Sequence, residues 1–287
     1  MKRCLTACPG TGQNEAMNIA SIPLTTPLTQ MTFVALDTET TGLSAQTGHR
    51  LVELAAVRFT LAGELARWQS LLWPHRPISP GAQRVHGLSS ADLQGAPCFA
   101  EVATDFLAFV GESPLVMHNA PFDAAFLAVA LAESGYSYQA PIFDTLRLLR
   151  THFRLPSNRL AAAARAFRLP TQPTHRAADD AATTAQLFSA ALSQLHAQHG
   201  DDLLRLHGAP YALPLVQLPP LATELQRALA SSHPVTVHYG ERISALVGQI
   251  EGIAQSRTGA YCTLRLATGQ RLHLTCARIH RLFLADD

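Results

Sequence analysis

The sequence lacks any apolar run that approaches the roughly 18 residues a membrane-spanning helix needs. Its first thirty residues contain Lys2 and Arg3 but lack the continuous apolar segment of a secretory signal. These two absences argue against a membrane protein and against an exported one. We therefore expect a cytoplasmic protein that does not bind a membrane.

Cysteine is also scarce, and its spacing argues against a disulfide-stapled domain. The five cysteines form no CxxC pair and no regular framework; they are Cys4, Cys8, Cys98, Cys262 and Cys276. A small secreted domain held by disulfides would show such a framework. The pattern suits a reducing compartment, in which thiols stay free.

Lysine is scarce in the whole chain, and acidic residues are absent from one segment of it. Lys2 is the only lysine among 22 basic residues, which we interpret mainly as a composition bias of the genome. No acidic residue lies between Asp144 and Asp179, whereas seven arginines do: Arg147, Arg150, Arg154, Arg159, Arg165, Arg168 and Arg176. The net charge of +1 indicates nothing about nucleic acid, but this segment is locally basic. It is either a solvated helix surface or a surface that follows a phosphate backbone.

Composition divides the 287 residues into four segments. Residues 1–30 show no periodicity and predict a disordered leader, with Met31 directly before the first strand as an alternative start. Residues 31–199 predict the main domain, and the proline-rich residues 200–221 predict a linker. Residues 222–287 predict a second, small all-β domain, which we interpret as a five-stranded barrel.

The main domain begins with three strand patterns, which are followed by alternating helices and strands. The predicted strands are 33–37, 51–59, 64–72, 115–117 and 140–143, and the predicted helices are 90–111, 121–134, 160–167 and 177–196. This order predicts an α/β fold in which helices flank a mixed sheet.

The first strand, in the stretch VALDTETTG, ends in two carboxylates. Asp37 and Glu39 stand two residues apart, so their side chains point to the same face of the strand. Two bare carboxylates this close repel each other, and one of them would stay protonated. A divalent cation such as Mg²⁺ or Mn²⁺ removes the repulsion. The alternative is that both groups are simply solvated at the strand end.

Further acids open two of the predicted helices. In HNAPFD, Asp123 lies in the first turn of the helix, where the helix dipole favours an acidic residue whether or not it binds a metal. In THRAADDA, Asp180 belongs to the more apolar helical stripe and is predicted to face inward, whereas Asp179 faces outward. An inward aspartate needs a partner, and a metal ion is a suitable one. His175 precedes this helix and is placed to act on a water molecule near such an ion.

The motifs DTETTG, VHGL, HNAPFD and HRAADDA, in this order and at this spacing, resemble those of the DEDDh family of 3′-to-5′ exonucleases. That family includes the epsilon (proofreading) subunit of DNA polymerase III, RNase T and oligoribonuclease. The resemblance covers roughly residues 32–195. It implies an RNase H-like fold and makes residues 31–199 the predicted exonuclease domain.

The resemblance also implies a catalytic set of five residues and two divalent cations, Mg²⁺ or Mn²⁺. Asp37 would bridge the two ions. Glu39 and Asp180 would complete the site of the ion that activates water, and Asp123 would hold the other, partly through water. His175 would be the general base, at a position where the other subgroup of the family has tyrosine.

The same resemblance implies contacts with the substrate. Thr40 and Leu43 would meet the terminal nucleotide, and His86 of VHGL would contact its sugar. Asn119 and Phe122 would line the base pocket, although Phe122 could equally be a core residue.

The implied function is removal of nucleoside monophosphates from single-stranded DNA 3′ ends, in proofreading or repair. RNA 3′ ends are the alternative substrate, because only contacts to the 2′ position separate the two. A different class of function is an accessory binding module that is recruited to a DNA polymerase or a sliding clamp.

The tail carries weaker signatures. Residues 222–284, with a helix followed by VTVHY and later ARIHRL, resemble small WYL-type barrels, although Tyr261-Cys262-Thr263 occupies the position of the namesake triplet. That resemblance implies binding of nucleic acid or a small effector, through arginines such as Arg271. A structural or oligomerising role is the alternative. Residues 217–221, QLPPL, resemble a sliding-clamp-binding peptide.

Overall fold

The larger part of the chain is built on a five-stranded mixed sheet. The computed structural model describes residues 22–216, 222–231, 233–240, 244–256 and 259–284. The sheet contains β1 Phe33–Thr40, β2 Leu51–Thr60, β3 Gly63–Leu71, β4 Leu115–Met117 and β5 Ile142–Asp144. Its order is β3-β2-β1-β4-β5, with β1, β2 and β3 antiparallel and with β4 and β5 parallel to β1. The predicted mixed sheet is confirmed.

Helices cover both faces of this sheet. Within residues 22–216 they are α1 Pro80–His86, α2 Phe99–Val110, α3 Ala120–Glu133, α4 Thr145–His152, α5 Leu160–Ala166, α6 Ala177–Gln194 and α7 Gly200–His207. Helices α2 and α3 bury their apolar side chains against one face, and α6 buries its own against the other. Across the described part of the chain, every helix is too short or too polar to span a bilayer.

Alternate residues of β1 face opposite helix layers, because side chains along a strand alternate in direction. Phe33 and Ala35 pack toward α6, where the Phe33 ring centroid lies 5.2 Å from that of Phe188. Val34 and Leu36 pack toward α2 and α3. This alternation decides which helix each later residue of β1 meets.

The domain begins earlier than the sequence predicted. Residues 22–30, which were assigned to the leader, lie on the domain with Leu28 fully buried. Backbone bonds hold the segment: Leu28 N–H donates to Gln198 O at 2.7 Å, and Gly200 N–H donates to Thr26 O at 3.2 Å. The segment is irregular, so its buried side chains produce no periodic pattern. The rest of the predicted leader lies outside the described residues.

The predicted linker 200–221 is likewise mostly part of the domain. Its first eight residues form α7, whose N-terminus is capped by Asp202, which accepts the backbone N–H groups of Gln198 and His199. Tyr211 then pairs with Ile142 at the edge of β5. The prolines of this segment suggested a linker, but a short helix with a strong cap precedes them. Residues 217–221, with the proposed clamp-binding peptide, lie outside the described residues.

Other boundaries shift for local reasons. The predicted helix 90–111 is helical only from Phe99, because Gly95 has a positive φ of 83° and Pro97 disfavours a helical residue before it. Helices α1 and α4 were not predicted from the sequence. α1 is nonetheless well started, with Ser79 Oγ accepting the N–H of Ala82 at 3.2 Å.

The second unit is an antiparallel sheet covered by one helix. It contains α8 Ala222–Ser231, β6 Val235–Tyr239, β7 Ser244–Ser256, β8 Gly259–Leu266, β9 Arg271–Thr275 and β10 Ile279–Leu284, in the sheet order β10-β6-β7-β8-β9. Leu225 and Ala228 of α8 are fully buried against Val237, Ile250 and Leu264. In the described residues β9 and β10 are opposite edges and do not pair, so the predicted closed barrel is wrong: α8, rather than closure, covers the core.

Candidate active site

Three carboxylates meet at the end of β1. Asp37 and Glu39 continue the face of β1 that packs on α6, and Asp180 lies in the first turn of α6. One carboxylate oxygen from each residue lies within 4.8 Å of the other two. Asp180 is buried and Asp179 is half-buried, as the apolar stripe predicted.

Asp123 approaches the same point from the other side of the sheet. Strand β4 is parallel to β1, so α3, which follows β4, begins at the edge where β1 ends. Thr38 points to this side, and its hydroxyl donates to Asp123 Oδ1 at 2.6 Å. Asp123 is also the charged neighbour that affects the pKa of Asp37 most. The structure therefore brings all four predicted acids together.

Burial and mutual repulsion both disfavour the charged form of these carboxylates. Burial, followed by the charges of Asp123 and Asp180, raises the pKa of Asp37 well above its usual value. Burial and the charge of Asp180 raise the pKa of Glu39 to about 8. Burial raises the pKa of Asp123 to about 7, against the hydrogen bond from Thr38, and it also raises the pKa of Asp180.

This donor set fits a divalent cation. All the groups offer oxygen atoms, which hard cations such as Mg²⁺ and Mn²⁺ prefer. Burial is the largest cause of the raised pKa values of Asp37 and Glu39 and neighbouring carboxylates the next, and a bound cation would favour the charged forms against both. Asp37, Glu39 and Asp180 are the residues close enough to share one ion, and Asp123 is next to Asp37.

His175 lies at the mouth of the cluster, just before α6. Its side chain is exposed, and its backbone has a positive φ of 59°, which is uncommon for a residue other than glycine. The preceding residue holds this conformation: Thr174 N–H donates to Asp180 Oδ1 at 2.9 Å, and its hydroxyl donates to Asp179 Oδ2 at 2.6 Å. Backbone strain of this kind is concentrated at functional sites.

Comparison with known proteins identifies the kind of site. The RNase T exonuclease family matches residues 34–188, which is more than half of the chain. The chain belongs to this exonuclease family. The match spans β1 with Asp37 and Glu39, the start of α3 with Asp123, and the start of α6 with Asp180.

Individual relatives agree with the family. The DNA polymerase III subunit epsilon of Treponema pallidum is 34% identical over 191 residues, which cover 64% of this chain and 87% of the relative. A DNA polymerase III subunit epsilon-like protein of Rhodobacter capsulatus is 36% identical over 180 residues, which cover 60% of this chain but only 25% of that protein. The exonuclease thus spans about a quarter of the length of the second relative. The predicted family and enzyme class, a nuclease hydrolase, are confirmed.

A solved structure shares the fold over most of this chain. Escherichia coli exonuclease I, in complex with a dT13 oligonucleotide, matches 82% of this chain and 55% of its own with a TM-score of 0.53 and 16% identity. At this identity the likeness concerns the fold alone.

The predicted nucleotide contacts at the end of β1 have different environments in the exonuclease. Leu43 is 87% exposed, directly after the turn in which the Thr40 hydroxyl donates to Gly42 O at 2.6 Å. His86 is buried: its Nδ1 accepts the N–H of Leu88 at 3.0 Å, so its Nε2 carries the proton and donates to Thr40 O at 3.2 Å. Both ring nitrogens of His86 are therefore hydrogen-bonded within the protein, and one of these bonds stabilises the turn after β1. Neither nitrogen is free to make the contact with a sugar that the sequence had predicted.

The other two predicted contacts lie at the start of α3. Asn119 is exposed, has a positive φ of 72°, and donates its backbone N–H to Asp144 Oδ1 at 2.9 Å. Phe122 is half-buried, with its ring 5.0 Å from that of Phe126. One side of Phe122 thus packs on the core while the residue keeps an accessible part beside Asp123.

Sequence reasoning missed Glu53, which the structure places directly opposite Glu39 on β2. Glu53 is buried and accepts two bonds from Arg176, at 3.0 and 2.8 Å, and one from the N–H of Ala177 at 3.2 Å. It therefore fixes the start of α6 between His175 and the inward aspartate. The sequence signal was its position as the single carboxylate of the strand, within the apolar run Leu51–Val57.

The basic segment divides into two groups. Arg176, at one end of the segment, is paired with Glu53. Arg147, at the other end, lies 5.6 Å from the Tyr211 ring centroid and donates to Ala209 O at 3.1 Å. Both of these arginines therefore make contacts within the protein. The remaining five are exposed: Arg150, Arg154, Arg159, Arg165 and Arg168. Within this segment, only these five remain available to follow a phosphate backbone.

Replacing Glu53 by glutamine is expected to lower exonuclease activity by about 10–100-fold, since residues that hold ligands in place have effects of this size. The amide keeps the shape but loses the charge that holds Arg176 and the start of α6. The measurement is the apparent Mn²⁺ affinity and kcat, taken well below the melting temperature. A purely structural role would lower the melting temperature without changing either value.

Glu64→Gln is the matched control. Glu64 lies on the neighbouring strand β3 and pairs with Arg67 at 2.5 Å, but both side chains are substantially exposed. Exposed pairs of this kind contribute about 0–1 kcal/mol. Equal losses in the two variants would contradict the assigned role of Glu53.

The metal-free exonuclease is expected to lose stability as the pH rises from about 4 to about 8. The folded-state pKa values of Glu39, about 8, and of Asp123, about 7, lie above the values of 4.5 and 3.8 that these groups otherwise have. The folded state therefore binds more protons in this window, and the free energy of unfolding falls as those protons leave. Melting temperatures in chelator, measured across this range, check the sign.

Added Mn²⁺ should reverse this effect. An ion at a hundredfold its Kd adds about 2.7 kcal/mol, which corresponds to a rise of roughly 5–10 °C for a domain of this size. The rise should be largest at the alkaline end, because ligand carboxylates must be deprotonated to bind. A melting temperature that is flat with pH in chelator, or a metal effect largest in acid, would contradict the charge-deficient cluster.

Proposed function

We propose that the protein is a metal-dependent 3′-to-5′ exonuclease that removes nucleoside monophosphates from DNA 3′ ends, in proofreading or repair. The observation that carries this proposal is the convergence of Asp37, Glu39 and Asp180 within 4.8 Å, with Asp123 beside them. Two divalent cations, Mg²⁺ or Mn²⁺, would be held by these four residues. When bound, the ions would supply Lewis acidity for an attacking hydroxide and for the leaving 3′ oxygen.

The side chains around the cluster have separate roles in this proposal. His175 accepts the proton of the attacking water, because it is exposed at the mouth of the cluster and its loop is fixed on both sides. Thr38 orients Asp123 through its 2.6 Å hydrogen bond. Leu43, which is exposed beside the turn after β1, provides an apolar surface for the terminal nucleotide.

DNA is favoured over RNA by the names of the relatives. The relatives from Treponema pallidum and Rickettsia prowazekii, 34% and 35% identical, are named DNA polymerase III subunit epsilon, and the match with the Treponema pallidum protein covers most of that relative. A polymerase is therefore the partner we propose. Contacts to a 2′ hydroxyl would distinguish RNA, so the substrate is decided by experiment.

The test uses 5′-labelled single strands of DNA and RNA of one sequence. Each is incubated with the full-length protein and Mg²⁺, Mn²⁺ or chelator, beside the variant Asp37→Ala. We expect a metal-dependent ladder that shortens DNA from its 3′ end and is absent with the variant. A ladder on RNA alone would replace DNA proofreading or repair by RNA turnover. No ladder on either strand, with metal binding retained, would favour the accessory binding module.

A further inference from the structure

A cleft of about 960 Å³ lies between the exonuclease domain and the second sheet. One wall is the segment 73–77, which follows β3, together with the start of α2. The opposite wall is formed by α8 and by strands β7, β8 and β9. This volume is at the upper end of the roughly 300–1,000 Å³ of ligand pockets. Within the described residues, none of the four active-site carboxylates lines the cleft.

Direct contacts define the two walls. Gln226 Nε2 on α8 donates to Ala132 O, at the end of α3, at 2.6 Å. Gly252 on β7 lies so close to His75 that a Cβ at position 252 would come within 2.8 Å of the Cβ of His75. The second sheet is therefore seated on the exonuclease domain, and the cleft remains open beside this contact.

The exonuclease wall of the cleft carries polar atoms without partners. His75 Nε2 and Arg76 Nε are buried and make no hydrogen bond in the structure. Buried polar groups are normally hydrogen-bonded, so each such atom requires an explanation. His75 also has a positive φ of 50°, which is uncommon for histidine. Both residues line the cleft through their other atoms, because these two nitrogens have almost no accessible surface.

Three arginines and three glutamates line the cleft, and Arg50, which pairs with the lining residue Glu133 from behind, adds a fourth positive charge. Arg265 and Arg271 on the sheet wall share one carboxylate, Glu251, at 2.6 and 2.7 Å. In the part of the chain that the structure describes, no carboxylate pairs with Arg76. A ligand that is anionic and accepts hydrogen bonds, such as a phosphate group, matches these walls.

The remaining acids of the lining are already engaged. Glu133 accepts Arg50 at 2.5 Å, and Glu101 accepts the N–H of Cys98 at 2.7 Å. Arg50 therefore neutralises Glu133, whereas Glu101, whose partner is a neutral amide, keeps its charge beside His75.

The cleft adjoins the catalytic strand. Ser79 N–H, just beyond the wall segment, donates to Thr41 O at 3.0 Å, and Thr41 comes two residues after Glu39. Strand β7 of the opposite wall lies against the turn Ala45–Thr47, which follows the exposed Leu43. The cleft therefore adjoins the turn that follows the catalytic carboxylates.

We propose that this cleft binds the phosphodiester backbone of the single strand whose 3′ end lies at the carboxylates. The proposal rests on the proposed function and adds a second, upstream contact region to it. Arg76 and Arg271, from opposite walls, would contact phosphates. Trp73, which is 38% exposed in the same lining, would offer a ring on which a base of the unpaired strand can stack.

Binding without hydrolysis tests the proposal. The full-length protein is titrated in chelator with a labelled single strand of about twenty nucleotides, and with a labelled dinucleotide, at several salt concentrations. For Arg76→Ala we expect the Kd of the long strand to rise about tenfold and the slope of log Kd against log salt to fall by about one. Arg271→Ala should act in the same direction. The dinucleotide should show a much smaller change.

Arg205→Ala is the matched control, because Arg205 is an exposed arginine on α7 that pairs only with Asp202 among the described residues. Its Kd and salt slope should equal those of the wild type. Arg76→Lys should recover part of the affinity, and melting temperatures show that the variants are folded.

Two results would overturn the cleft: long-strand affinity unchanged in both arginine variants, or equal losses on the dinucleotide and on the long strand. The first would point to a ligand other than nucleic acid. Because this binding is read in chelator, it is independent of catalysis. A protein that binds the long strand through Arg76 but makes no ladder would support the cleft and contradict the proposed hydrolysis.

Discussion

Replacing Asp37 by asparagine is expected to lower the rate of hydrolysis by about a thousandfold or more, and to stabilise the metal-free protein. Burial raises the pKa of Asp37 most, and the charges of four neighbouring carboxylates raise it further. Loss of a shared metal ligand removes several kcal/mol of transition-state stabilisation, and each 1.4 kcal/mol is about tenfold in rate. Removing one charge also relieves the repulsion within the cluster, so stability should rise when no ion is present.

The opposite signs of these two effects make the prediction specific. Single-turnover cleavage of a 5′-labelled strand gives the rate, and melting curves in chelator and in Mn²⁺ give the stability. Asp105→Asn, which removes an exposed carboxylate on α2, should change neither value. If Asp37→Asn were inactive because its melting temperature had fallen, the residue would be structural and the assigned site would be wrong.

Replacing His175 by alanine is expected to lower kcat by about 10²–10⁴-fold, the usual contribution of a general base. The side chain is exposed and makes no hydrogen bond within the described structure that the fold depends on, whereas its neighbours Thr174 and Arg176 anchor the loop. The rise of melting temperature with Mn²⁺ should therefore be retained. The measurement is kcat at saturating metal, together with that melting shift.

His196→Ala is a closely matched control for this variant. His196 lies just beyond the opposite end of α6, is also exposed, and also has a positive φ, 55° against 59° for His175. It should keep full activity, so that effects of the backbone conformation are separated from those of the imidazole. Added imidazole should restore part of the rate to His175→Ala and none to Asp37→Asn. A normal rate for His175→Ala would remove the histidine from the mechanism.

The sequence by itself determined the features that depend on short-range patterns. The strand before Asp37 is apolar and extended, and the period of two in a strand placed Asp37 and Glu39 on one face. The helical period of α6 separated the inward Asp180 from the outward Asp179. The order of strands and helices then predicted the mixed sheet, and the four motifs predicted the exonuclease family.

Only the tertiary structure decided how those residues are supported and where the domain ends. Glu53 and Arg176 are 123 positions apart, and Thr38 and Asp123 are 85 positions apart, so no local pattern could pair them. The buried leader residues around Leu28 gave no periodic signal, because irregular backbone buries side chains without one. The cleft beside His75 and Arg76 exists only where two sheets from different parts of the chain meet, and its unpaired nitrogens are a property of that contact.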